Sequence, residues 1–156
     1  MKLLDFLHPK AVSANLKAVD KEGAIRELAD LLLKAGAIQD ENKEPLVKIL
    51  LNREALGSTG IGQNIGIPHG KTNCVKKLVG AFGVSKRGIN FDSLDGEPVY
   101  LFFLLVAPED SAGPHLKALA RISRILKDQH FRQILRDSKD EKEILRIFKE
   151  EDEKKG

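Results

Sequence analysis

A histidine stands in the run Ile65-Gly66-Ile67-Pro68-His69-Gly70, behind a short extended segment and a rigid proline, and before a glycine that lets neighbouring backbone approach a bulky ligand. Imidazole is mostly neutral near pH 7, so it can attack a phosphoryl group without a separate base, and the phosphohistidine formed is a good donor for onward transfer. The same residues also fit a histidine that merely ends a strand with its ring hydrogen-bonded. His115 is the second candidate. It falls in the first turn of a helix expected to begin near Ala112, where unpaired N–H groups and the helix dipole favour an anion, although a half-buried histidine on a core stripe has the same spacing. Arg53 could clamp a phosphate through two N–H groups or simply complement the C-terminal end of its helix. Lys71, beside His69, could steer phosphate or be solvated.

Other chemistries lack their residues. Gly57 to Gly62 has the first spacing of a P-loop, but Gln63 and Asn64 stand where a Lys and a Ser/Thr must hold phosphates and magnesium. A dinucleotide fingerprint fails because Gly60-Ile61-Gly62 is followed by Ile65 and does not open a helix. There is no GxSxG elbow. The four histidines His8, His69, His115 and His130 are scattered and Cys74 is alone, so neither a metal nor a cofactor is expected.

The elements that must position the histidines follow from the rest of the chain. Its 156 residues are enough for one domain, and 42% hydrophobic with 31% charged residues is the balance of a folded globular protein. Lys and Arg number 26 against 23 Asp and Glu, with signs alternating along the chain, and no aromatic platform is visible, so nucleic acid is not expected as a partner. The start, MKLLDFLHPK, lacks the apolar stretch and cleavage site of a secretory signal, and the longest apolar run, Val99–Ala107, lies between Pro98 and Pro108, well short of the roughly 18 residues a membrane helix needs. A cytoplasmic protein without direct membrane insertion is the expectation.

Val12–Ala18 reads as extended. Asp20 then caps a helix on which Ile25, Leu28, Ala29, Leu32 and Leu33 form one face before Gly36 stops it. A second helix runs from about Glu41 to Arg53 with Pro45 in its first turn. Gly57 to Asn73 reads as a glycine-rich loop, Leu78–Val84 as a strand, and Val99–Ala107 as a strand buried on both faces. On the following helix His115, Leu119, Ile122 and Leu126 share a stripe, and helices over about Gln129–Arg136 and Asp140–Lys149 complete the chain. The pattern predicts an α/β domain over residues 1–150, with helices covering a mixed sheet, and a frayed polar tail over residues 151–156.

The run NREALGSTGIGQNIGIPHGKT, Asn52 to Thr72, resembles the active-site signature of the fructose/mannitol-type IIA domains, EIIA type 2, of the bacterial phosphoenolpyruvate-dependent phosphotransferase system (PTS). Within that family it looks most like the nitrogen-regulatory branch. The segments INFDSLDGEPVYLFFLLVAPED and HLKALARISRIL extend the resemblance, which covers about Leu3 to Phe148. It implies a mixed sheet of about five strands flanked by helices. It also implies that His69 accepts a phosphoryl group on Nε2 from a histidine of an HPr-like phosphocarrier, that His115 hydrogen-bonds near that group, and that Arg53 lies near the site. Ser58, Thr59, Gly60 and Gly70 would form the wall of the phosphate site and offer donors, and transfer between imidazoles would need no cofactor or metal. The carrier would dock around His69 on a modest, largely apolar patch with a polar rim.

The function this implies is that of a phosphotransferase component, a nitrogen-regulatory type IIA phosphocarrier that controls target proteins, with no attached IIB or IIC domain. The alternatives are a sugar-specific EIIA that passes phosphate to a separate EIIB in fructose- or mannitol-type uptake, and a binding module that is not phosphorylated. One position departs from the common pattern: Gly66 stands where alanine is usual, a change expected to be tolerated while loosening the strand.

Overall fold

An uninterrupted run of nine uncharged residues, Val99–Ala107, can be buried only if both of its faces and both of its edges are covered, and the computed structural model, which describes residues 1–155, is arranged around that run. In chain order the strands are β1 (Leu7–Ser13), β2 (Gly60–Gly62), β3 (Ile65–Gly66), β4 (His69–Lys71), β5 (Val79–Ile89) and β6 (Val99–Ala107). The helices are α1 (Lys21–Lys34), α2 (Asp40–Ala55), α3 (Ala112–Ile125), α4 (Gln129–Arg136) and α5 (Glu141–Lys155), and a 3-10 turn covers Leu3–Asp5. The sheet is mixed, in the order β1-β5-β6-β3-β2, with β4 also paired to β6. β5 runs antiparallel to β6, β1 parallel to β5, and β3 and β4 both parallel to β6.

The strands β3 and β4 are one row broken at Ile67-Pro68. Ile65 and Gly66 pair with Leu101 and Phe102, and His69 to Lys71 pair with Leu105 to Ala107. Proline has no N–H to give the ladder, so pairing lapses there, although the Pro68 carbonyl still accepts from Leu105 N–H at 3.0 Å. The sheet therefore has six strands in five rows, in keeping with the sequence-based expectation.

Successive residues of β6 point to opposite faces. Leu101, Phe103 and Leu105 join Phe82, Ile122, Leu135 and Phe148 under α3, α4 and α5. Phe102, Leu104 and Val106 join Leu28, Leu32, Leu46 and Leu50 under α1 and α2. The rings of Phe82, Phe103 and Phe148 meet at 5.0–5.6 Å between centroids. No helix among the described residues is long and apolar enough to cross a membrane.

Several boundaries differ from the sequence reading for identifiable reasons. The first strand is Leu7–Ser13 and not Val12–Ala18. Beyond it Leu16 N–H still reaches the Val84 carbonyl at 2.8 Å, but the amides of Lys17 and Ala18 are taken by the Glu27 carboxylate instead of a strand. Pro45 lies in the second turn of α2, where the lost bond to Glu41 falls on the exposed side. The expected loop from Gly57 contains β2, β3 and β4, and Gln63 and Asn64, at φ 57° and 67°, form the two-residue hairpin turn between β2 and β3. At Gly66 an added Cβ would meet Val99 and Phe102 side chains at 3.3 and 3.4 Å, so alanine would be accommodated by small side-chain movements.

The expected polar tail is corrected for residues 151–155, which continue α5; Gly156 lies outside the described residues. The reason is Asp152, which is 3% exposed. Its carboxylate accepts from Leu3 N–H at 2.8 Å and Leu4 N–H at 3.0 Å, and pairs with Arg121 of α3 at 3.1 Å. Removing one partner of a buried pair strands the other, so Asp152→Ala should lower unfolding free energy by about 3–5 kcal/mol. Urea denaturation would show this as a lower midpoint at unchanged slope.

Candidate active site

His69 begins β4 opposite Leu105, and this pairing places its side chain on the α3 side of the sheet. His115, in the first turn of α3, meets it there. The ring centroids are 5.3 Å apart with the planes at 71°. The fold thus brings the two candidate histidines together.

The His69 ring is half-buried, and its Nδ1 lies 2.7 Å from the carbonyl oxygen of Ile67. A carbonyl only accepts, so Nδ1 carries the proton and donates it. In the neutral ring this leaves Nε2 with the free lone pair, which makes it the nucleophilic nitrogen. His115 is 5% exposed and its Nδ1 is buried without a hydrogen-bond partner. Burial above all, and then the positive charge of His69 and Lys71, hold its pKa below the ordinary 6.5. His115 is therefore neutral at pH 7, and its ring, with Nδ1 unsatisfied, stands 5.3 Å from that of His69 between centroids.

The glycine-rich segment is held by bonds internal to the protein. Arg53 donates from Nη1 to the Gly57 carbonyl at 2.8 Å. The Ser58 hydroxyl donates to the Phe91 carbonyl at 2.6 Å and accepts from Gly60 N–H at 2.9 Å. Both the amide and the hydroxyl of Thr59 donate to Glu54. The hydroxyls of Ser58 and Thr59 and the amides of Thr59 and Gly60 are thus spent on partners within the protein, which corrects the expectation that they are free to bind phosphate. Gly60 is required for packing, since a Cβ there would come within 2.4 Å of Ser93 Oγ.

Gly70 is corrected as well. As the next residue of β4 it faces the opposite side of the sheet, where an added Cβ would lie 3.1 Å from Ile49 and 3.3 Å from Leu50 of α2. Its small size lets α2 close on β4, and it is no wall of the histidine site.

Sequence reasoning passed over Glu54, which is 6% exposed. The one signal was its place in line with Val47 and Leu50 on the buried face of α2, where a carboxylate needs partners. Those partners are Thr59 and Lys21, the latter with Nζ at 3.2 Å. Among the described residues no group of three or more His, Cys, Asp or Glu side chains is placed to hold a metal ion.

Residues 5–151 match the family described as "Phosphoenolpyruvate-dependent sugar phosphotransferase system, EIIA 2". A nitrogen regulatory protein of Bradyrhizobium diazoefficiens is 42% identical over 148 residues, 95% of each chain. The fructose-specific EIIABC component of Bacillus subtilis is 38% identical over 152 residues, 97% of this chain and 24% of that longer protein. Among solved structures, the nitrogen regulatory protein IIA-Ntr from Neisseria meningitidis superposes with a TM-score of 0.83 at 30% identity, covering 92% of this chain and 97% of its own. With the signature run, the mixed sheet and nearly the full length in agreement, the chain belongs to the EIIA type-2 family of the phosphotransferase system.

Proposed function

We propose that this protein is a phosphocarrier of the nitrogen-regulatory type, which accepts a phosphoryl group on Nε2 of His69 from a phosphohistidine of an HPr-like protein and controls target proteins through its phosphorylation state. The observation that carries the reading is the bond from His69 Nδ1 to the Ile67 carbonyl, which leaves Nε2 as the free nucleophile. In the transfer, the N–P bond of the carrier breaks as the bond to Nε2 forms. The carrier's imidazole, protonated on its other ring nitrogen, leaves with its lone pair, and the proton of His69 stays on Nδ1, hydrogen-bonded to the Ile67 carbonyl. No proton has to move, and the work is positioning and charge stabilisation.

His115 supplies the second part. A phosphoryl group on His69 brings anionic oxygens beside a buried neutral ring that lacks a partner, and such a donor is worth most where water is excluded. Arg53 acts by holding the loop at Gly57. Leu116, next to His115, and Ile61 and Leu94 along the glycine-rich segment are exposed and offer a docking carrier apolar contact. A cytoplasmic location follows from this role. The likeness to a fructose-specific EIIABC component supports a second reading, in which the phosphoryl group passes to a separate EIIB during sugar uptake.

Phosphoenolpyruvate-dependent labelling with Enzyme I and an HPr-type carrier should place an acid-labile label on the wild type and none on a folded His69→Ala variant. Label on that variant would remove His69 as acceptor; no label on either protein would leave a binding module that is not phosphorylated. His115→Ala should still accept the group but transfer it about 10²–10³-fold more slowly, the usual loss for one transition-state donor. An unchanged rate would make His115 a packing residue.

The lowered pKa of His115 also makes stability depend on pH. As pH falls below 6.5 the unfolded chain takes up this proton before the folded one does, so the contribution is complete above 6.5 and is lost progressively down to the folded value. NMR titration of the ring should give a midpoint below 6.5, and urea midpoints across the same interval should fall more steeply in the wild type than in His115→Gln.

A further inference from the structure

Three hydrogen-bond donors converge on the buried carboxylate of Glu54: the amide of Thr59 at 3.1 Å, the hydroxyl of Thr59, and the ammonium of Lys21 at 3.2 Å. An ionised carboxylate suits this place because it is acceptor-only. Lys21 is itself fixed, with Nζ 3.4 Å from Asp92 and 4.9 Å above the Phe91 ring. The carboxylate thus clamps Thr59 against two helices and the connection between β5 and β6.

Thr59 leads to the nucleophile. Its carbonyl accepts from Ile67 N–H at 3.0 Å, and the carbonyl of Ile67 accepts from His69 Nδ1 at 2.7 Å. The path from Glu54 through Thr59 and Ile67 therefore ends on the ring nitrogen whose proton decides which face of the imidazole is nucleophilic.

We propose that Glu54 is a positioning residue for His69: by fixing Thr59 it fixes the Ile67 carbonyl, which holds the His69 proton on Nδ1 and leaves the lone pair on Nε2. The catalytic significance rests on His69 being the phosphoryl acceptor; the tautomer itself does not. Glu54→Gln removes the negative charge that pairs with Lys21 and replaces one acceptor oxygen with an NH₂ donor. The clamp loosens with little change in volume.

The test is ¹⁵N NMR of the unphosphorylated protein at a pH where His69 is neutral, together with steady-state transfer from an HPr-type carrier. In the wild type the two His69 nitrogens should show the shifts of a pure Nδ1–H tautomer. In Glu54→Gln they should move toward a mixture, and kcat should fall by roughly 10–100-fold, the scale seen when a histidine loses an orienting partner, with KM for the carrier unchanged. Thr59→Ala, which removes one of the donors, supplies the same readout should Glu54→Gln fail to fold. Asp152→Asn, which weakens the fold on the far side of α3, should lower stability while leaving the His69 shifts in place. Wild-type shifts and kcat in both Glu54→Gln and Thr59→Ala, with stability lowered as in Asp152→Asn, would overturn the proposal and leave Glu54 a tie between α1 and α2. A shifted tautomer in a protein that no carrier labels would uphold the positioning role and overturn the phosphocarrier reading.

Discussion

Because β6 has no face open to water, every N–H and C=O along it must be paired within the protein, and this requirement shapes its surroundings more than any side-chain contact. One edge is met by the long antiparallel partner β5, the other by the short parallel row of β3 and β4. The candidate nucleophile belongs to that second row. His69 is therefore placed by the same ladder that closes the core, and its backbone has the rigidity of a sheet where a loop would leave it mobile. The proline break just before it frees the Ile67 carbonyl to turn toward the ring.

The two sides of the sheet have separate duties at this point. On the α3 side, His69 and His115 meet in a place dry enough to keep His115 neutral. On the α2 side, Gly70 gives up its side chain so that Ile49 and Leu50 can close over β4. Alternation along three residues of strand thus separates chemistry from packing. The glycine-rich segment resembles a phosphate-binding loop in composition, but its donors bind Glu54, Phe91 and each other, so they are spent on holding the segment in place.

What the sequence made legible follows the range of the interactions involved. Val99–Ala107 could be read because two prolines bound an uncharged run, and α1 because Asp20 caps it locally, accepting from Gly23 N–H. Of β2 to β4 only the extended stretch at Ile65 and Gly66 was legible, since two or three residues carry no period and exist as strands only through pairing with β6 or with each other. The role proposed for His69 came from a long motif; spacing alone left it undecided. Glu54 and Asp152 both looked like ordinary surface acids because their charged partners are remote in sequence. Lys21 is on another helix, and Leu3 is 149 residues from Asp152. The mistaken polar tail and the overlooked carboxylate have this one cause.

The bond between His69 Nδ1 and Ile67 also bears on regiochemistry at this ring. An imidazole has two isomeric products with an electrophile, and attack through Nδ1 would first require that nitrogen to abandon a carbonyl in a buried residue. An unpaired buried acceptor costs about 1–3 kcal/mol, enough to favour one isomer by roughly 5–150-fold. The acceptor is main chain, so no side-chain replacement at position 67 deletes it. The preference between the isomers thus runs through the backbone, which a substitution reaches only by moving the Ile67 carbonyl.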